Sequence, residues 1–156
     1  VPISPYGYLG DYIPFYFTPY TPMMANILTG RGVEKHEPQD IVILVACLNE
    51  IHEKKLPFII SDRNAYYPTA TFYNQLNDLQ YLPWALWQQR DYKRDPENPE
   101  KIEKYMAEAL IHNHLPIELL KGVVCYSNEL KLEIEAKLIE LNLSLKVIDK
   151  PNWYVK

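Results

Sequence analysis

The sequence predicts an α+β domain with a mostly antiparallel sheet. Two observations carry this reading. Short apolar runs rich in β-branched and aromatic residues recur between proline- and asparagine-containing breaks. Amphipathic stretches of helical period lie among them, without the strict alternation that a parallel, doubly wound sheet requires.

Ile13–Thr18 is the first predicted strand, an aromatic run bordered by Pro14 and Pro19, with Pro22 opening a Met-Met helix at its first turn. Prolines in such a run suit a sheet edge. Ile41–Leu48, IVILVACL, is continuously apolar and predicts a central strand buried on both faces. Asn49–Lys55 is a short helix stopped before Pro57, and Phe58–Ser61 is a strand. Apolar residues at Ala70, Phe72, Tyr73, Leu76 and Leu79 have helical spacing and predict a helix over Thr69–Leu79; Leu82–Gln89 continues as helix or turn. The polar stretch RDYKRDPENPEK is a long exposed loop, followed by a helical turn over Lys101–Met106. Glu108–His112 either continues that turn or begins a strand. Gly122–Ser127 is a strand. Asn128–Leu141 is an amphipathic helix capped by Asn128, apolar at Leu130, Ile134, Leu138 and Leu141. Leu145–Ile148 and Trp153–Val155 are terminal strands.

The chain has 156 residues, a length that suits one domain, with a net charge of −4, which argues against tight nonspecific binding of duplex nucleic acid. Cys47 and Cys125 sit in apolar runs and read as reduced core thiols. No apolar run is long enough to span a membrane and no signal peptide is visible, so a cytoplasmic protein without a membrane partner is expected. The 13 tyrosines against 4 phenylalanines predict either a semi-polar core or a set of stacking platforms for nicotinamide or bases.

Several chemistries find no support. His112 and His114 share a face only on a strand, and no acidic or thiol group at ligand spacing joins them, so no metal is expected. There is no glycine-rich phosphate loop and no nucleophile elbow. Arg63, Arg90, Lys93 and Arg94 are candidate phosphate contacts or a solvated charged loop. Trp84, Trp87 and Tyr92 flank them, as in a single-strand groove, or simply pack the helix.

Four blocks, LGDYIPFYFTPYTPMM, LPFIISDRNAYY, KIEKYMAEALIHNHLP and PNWYV, resemble in order and interval the DarT family. These are DNA ADP-ribosyltransferase toxins paired with the macrodomain antitoxin DarG. The resemblance implies an ADP-ribosyltransferase fold of the PARP and diphtheria-toxin type, a split, mostly antiparallel sheet with flanking helices. It implies NAD as substrate, no metal, and mono-ADP-ribosylation of a base in single-stranded DNA, thymine being favoured. Glu108 in YMAEALI then matches the catalytic glutamate, expected at the start of a strand on a cleft wall near Tyr16. Tyr16, Phe17 and Met23 match the nicotinamide pocket. The region from Asp62 to about Met106, with Arg63, Asn64, Tyr66, Arg90, Lys93 and Arg94, matches the part that grips DNA.

Asn64 departs from the Asp-Arg-His of many relatives and cannot carry a proton near neutral pH. The family also carries a His-x-Thr-His strand and an arginine ahead of the segment that starts here at Val1. Residues 1–156 are therefore expected to be a single domain lacking its N-terminal NAD-binding segment, unable by themselves to transfer ADP-ribose at a useful rate. The alternatives are a non-catalytic nucleic-acid- or nucleotide-binding module on the same fold, or an ADP-ribosyltransferase acting on RNA or protein.

Overall fold

The computed structural model describes residues 1–93 and 95–154. They fall into two compact units, one formed by Val1–Pro22 with Leu48–Leu115, the other by Met23–Cys47 with the chain from Pro116 on.

The first unit holds an antiparallel four-stranded sheet. Its strands are β1 (Tyr12–Tyr16), β3 (Phe58–Ser61), β4 (Phe72–Tyr73) and β5 (Glu108–His112), in the order β1-β5-β3-β4. β1 lies at the edge, which is why Pro14 is tolerated: an edge strand has one side that needs no ladder donor. β3 is buried along its whole length, as its unbroken apolar run dictates. Leu110 stands opposite Ile59 on one side and Pro14 on the other, and Tyr12, two residues before Pro14, shares their face; Tyr12, Leu110 and Ile59 cluster there with Ala65. Helices α2 (Leu48–Glu53), α3 (Trp84–Gln89) and α4 (Lys101–Lys104) complete the unit.

The second unit holds β2 (Ile43–Ala46), β6 (Leu120–Cys125) and β7 (Val147–Asp149), with β6 central, antiparallel to β2 and parallel to β7. Helix α5 (Asn128–Glu140) lays Leu130, Ile134 and Leu138 over Val123, Cys125 and Val147. Helix α1 (Pro22–Thr29) contributes Leu28 and Met24 to a cluster with Val124 and Tyr154.

Five expectations are corrected. β2 is an edge strand with Leu44 47% exposed, and Cys47 lies just past its end, half-buried; an apolar β-branched run alone does not make a strand central. The helix expected over Thr69–Leu79 is strand β4 followed by a 3-10 turn over Leu76–Tyr81. Pairing of Phe72 and Tyr73 with β3 overrides the accidental helical spacing, and Asp78 accepts the Gln75 amide at 3.1 Å. The N-cap of α5 is Ser127, whose hydroxyl accepts the Leu130 amide at 3.3 Å, not Asn128. Leu141 is exposed rather than packed. A 3-10 turn, Pro151–Trp153, replaces the terminal strand; Val155 lies outside the described residues.

Candidate active site

Glu108 is the first residue of β5. MAEAL has high helix propensity, but pairing on both sides decides otherwise: Glu108 stands opposite Tyr16 of β1 and Ser61 of β3. All three side chains therefore project from one face, at the end of the sheet beyond the Tyr12–Ile59–Leu110 cluster. Only 8% of Glu108 is exposed. Its carboxylate accepts the Ala65 amide at 2.9 Å, and its own amide donates to the Ser61 hydroxyl at 3.3 Å. Burial pushes the Glu108 carboxyl above the usual glutamate range, while the Ala65 amide pulls it back. Burial and the Glu108 charge together raise the Tyr16 phenol, which stays protonated and able to donate.

The segment joining β3 to β4 is a pair of tight turns. Asp62 ties its ends, bonding the Thr71 amide through its carboxylate at 2.9 Å and the Thr71 carbonyl through its own amide at 3.2 Å. The Asn64 side chain accepts the Tyr66 amide at 2.9 Å, and the Asn64 carbonyl accepts the Tyr67 amide at 3.1 Å. This folding leaves the Tyr66 ring 86% exposed, one residue from the amide that holds Glu108.

Arg63 does not face solvent, contrary to the expectation of a phosphate contact. It is 7% exposed, and its donors reach Asp62 (3.3 and 3.4 Å), Thr69 (3.3 Å), Glu100 (3.3 Å) and Glu103 (3.4 Å). A guanidinium has five N–H groups, and every one is taken. Three surrounding carboxylates would also repel a phosphate.

The aromatic residues near Arg90 resolve differently from one another. Phe17 stacks on Trp87 at 5.6 Å and meets the edge of Trp84 at 5.9 Å. Trp87 is buried and donates to the Lys104 carbonyl at 2.9 Å, so this group packs α3. Arg90, the exposed left-handed cap of α3, lies over the Tyr20 ring at 3.9 Å. Tyr92 donates to the Tyr20 carbonyl at 3.0 Å, and burial against Tyr105 pushes its phenol up to about 12. Lys93 is exposed, and Arg94 lies outside the described residues. Met23 is exposed on the first turn of α1, in the other unit.

Sequence reasoning missed Ser61 and the Ala65 amide. Ser61 had a weak signal, a hydroxyl closing the apolar run FIIS. A backbone amide has none. Among the described residues, no group of three or more His, Cys, Asp or Glu could hold a metal ion, and no helix is long and apolar enough to cross a membrane.

A family model described as DarT, ssDNA thymidine ADP-ribosyltransferase, matches residues 1–155. A DNA ADP-ribosyl transferase of Escherichia coli O127:H6 is 46% identical over 155 residues, 99% of this chain and 71% of that protein. One from Thermus sp. 2.9 is 36% identical over 134 residues, 86% of this chain and 63% of that protein. Among solved structures, Thermus sp. 2.9 DarT in complex with carba-NAD+ superposes with a TM-score of 0.90 at 32% identity, over 99% of this chain and 79% of that one. The same protein in complex with ADP-ribosylated ssDNA gives 0.91 at 30% identity, over 99% and 74%.

Proposed function

The chain belongs to the DarT family, and from that premise we propose that it transfers ADP-ribose from NAD to a thymine of single-stranded DNA. The observation that carries this reading is Glu108, a buried carboxylate at the start of β5, level with Tyr16 and held by the Ala65 amide. Breaking the nicotinamide–ribose bond develops positive charge on the ribose, as in glycoside cleavage. The bond pair leaves with nicotinamide, which becomes neutral. The thymine N3 lone pair forms the new bond to C1′, and the N3 proton must go to a base. Glu108 accepts the ribose 2′-hydroxyl and faces the developing cation across a dry wall, where its charge acts strongly. Tyr16, beside it, lines the nicotinamide side.

Phe17 stacks on Trp87 and completes the nicotinamide side next to Tyr16. Tyr66 offers a free ring for a base next to Glu108, and Asn64 shapes the turn that presents it. Arg90, Lys93 and Arg94 supply positive charge for the phosphates. The remainder of the proposal is cellular: a cytoplasmic toxin, neutralised by a macrodomain antitoxin of the DarG kind.

The test is to incubate the full natural chain with labelled NAD and, in parallel, thymine-only and guanine-only single strands, single-stranded RNA and protein. Label confined to the thymine strand is expected. Label on RNA or protein would replace the acceptor, and NAD binding without transfer would favour a binding module.

A further inference from the structure

We propose that Arg63 is a positioning residue for Glu108: it clamps the Asp62–Thr71 turn onto α4, and so holds the Ala65 amide against the carboxylate. This rests on the reading of Glu108 as the reacting carboxylate.

The chain path makes the clamp a closed ring. Ser61 ends β3 level with Glu108. Arg63 follows two residues later, and Ala65 two residues after that. From Arg63 the guanidinium reaches forward to Glu100 and Glu103 on and beside α4. From α4 the chain runs directly into Glu108, whose carboxylate returns to the Ala65 amide at 2.9 Å. Opening the ring at Arg63 frees the turn that carries Ala65.

Each Arg63 contact is long, 3.3–3.4 Å, so no single one dominates. Their number matters instead. Burial works against the guanidinium charge, and the bonds from Asp62 and Glu100 outweigh it. Arg63 in turn holds Glu100 below the usual carboxylate range, and Lys104 reaches the same carboxylate at 3.5 Å. A planar fork with fixed donor directions sets the angle of the turn as well as its position; an ammonium cannot do this. Around Glu108 itself, β1 presents Tyr16, β3 presents Ser61 and the turn presents the Ala65 amide. Of these only the amide depends on Arg63.

The experiment is carbon-13 NMR titration of the Glu108 carboxyl in the full natural chain, comparing wild type, Arg63→Ala and Arg63→Lys. Glu108→Gln assigns the signal. Losing an amide that stabilises the ionised form must move the titration to higher pH. Arg63→Ala is expected to show that shift, with transfer slowed by roughly 10²-fold, the scale of a small misplacement of a reacting group. KM values for NAD and DNA should stay near wild type, and Arg63→Lys should recover part of both effects.

An unmoved Glu108 titration overturns the proposal, and a raised KM for DNA beside it would return Arg63 to the phosphate contacts. Should Arg63→Ala not fold, Glu103→Ala opens one arm of the clamp with the cation still paired to Asp62 and Glu100. The same shift, smaller, is expected there, and its absence is equally decisive. The titration needs no turnover, so it reports on the clamp even if thymine proves not to be the acceptor.

Discussion

The two units differ in what they bury besides apolar side chains. Both have an apolar core, Ile59, Ile60, Leu110 and Ile111 in the first and Leu28, Val123, Val124 and Val147 in the second; among the described residues the buried polar or charged ones, Thr21, Ser61, Arg63, Lys101 and Glu108, all lie in the first. The second unit follows the ordinary rule that apolar surface leaves water. The first buries an anion beside an amide and a cation among three carboxylates, arrangements that are costly unless every donor and acceptor is matched. The difference separates what stabilises from what reacts. A sheet end that holds Glu108 dry gives up stability so that its charge acts at full strength.

The largest expected stability effect tests whether that separation is complete. Ile59 is fully buried and clusters with Ala65. Ile59→Ala should cost about 2–5 kcal/mol by denaturant unfolding. It should also slow transfer per folded molecule, because Ala65 loses its support. A normal rate in that variant would detach the apolar cluster from the site.

Next comes Gly122→Ala in the second unit. A Cβ there would lie 2.5 Å from the Lys146 carbonyl oxygen, a backbone atom with no room to yield. A loss of about 1–3 kcal/mol is expected. Tyr154→Phe is milder. Its hydroxyl sits 2.9 Å from the Val124 carbonyl and 3.0 Å from that of Ile41, and removing it should cost on the order of 1–2 kcal/mol by thermal melting.

The smallest effect has the opposite sign. Glu108 holds its proton more tightly folded than unfolded, so its burden is absent in acid and grows as pH rises from the ordinary glutamate range to the higher folded value. Glu108→Gln should therefore stabilise at neutral pH by on the order of 1 kcal/mol, about 2–4 °C in Tm. The gain should vanish below about pH 4. An equal gain at both pH values would show that ionisation is not its source.

Legibility in the sequence followed the same division. Phe58–Ser61 was readable because its apolar run is bounded by Pro57 and Asp62, and the α5 stripe because helical period survives any context. Glu108–His112 stayed ambiguous from propensity, since the pairing that makes it a strand comes from Tyr16 and Ser61, distant in sequence. The family blocks, not the local pattern, placed Glu108. Arg63 misled for a related reason. Its sequence neighbours suggest an exposed turn, while the acids that bury it, Glu100 and Glu103, lie at the far end of a long polar stretch and in the helical turn after it. Ile41–Leu48 was read as central because composition registers strand-forming tendency but not which strand ends at an edge.

The central claim is that the reactive group is the buried carboxylate of the first unit. Its most direct test is single-turnover transfer from labelled NAD to a thymine-only strand, by wild type, Glu108→Gln and Gly122→Ala, each scaled to its folded fraction. The account predicts that Glu108→Gln, well folded, loses at least about 10²–10³-fold in rate. Gly122→Ala, less stable, should keep the wild-type rate per folded molecule. Transfer by Glu108→Gln at the wild-type rate would contradict the account and move the chemistry away from β5.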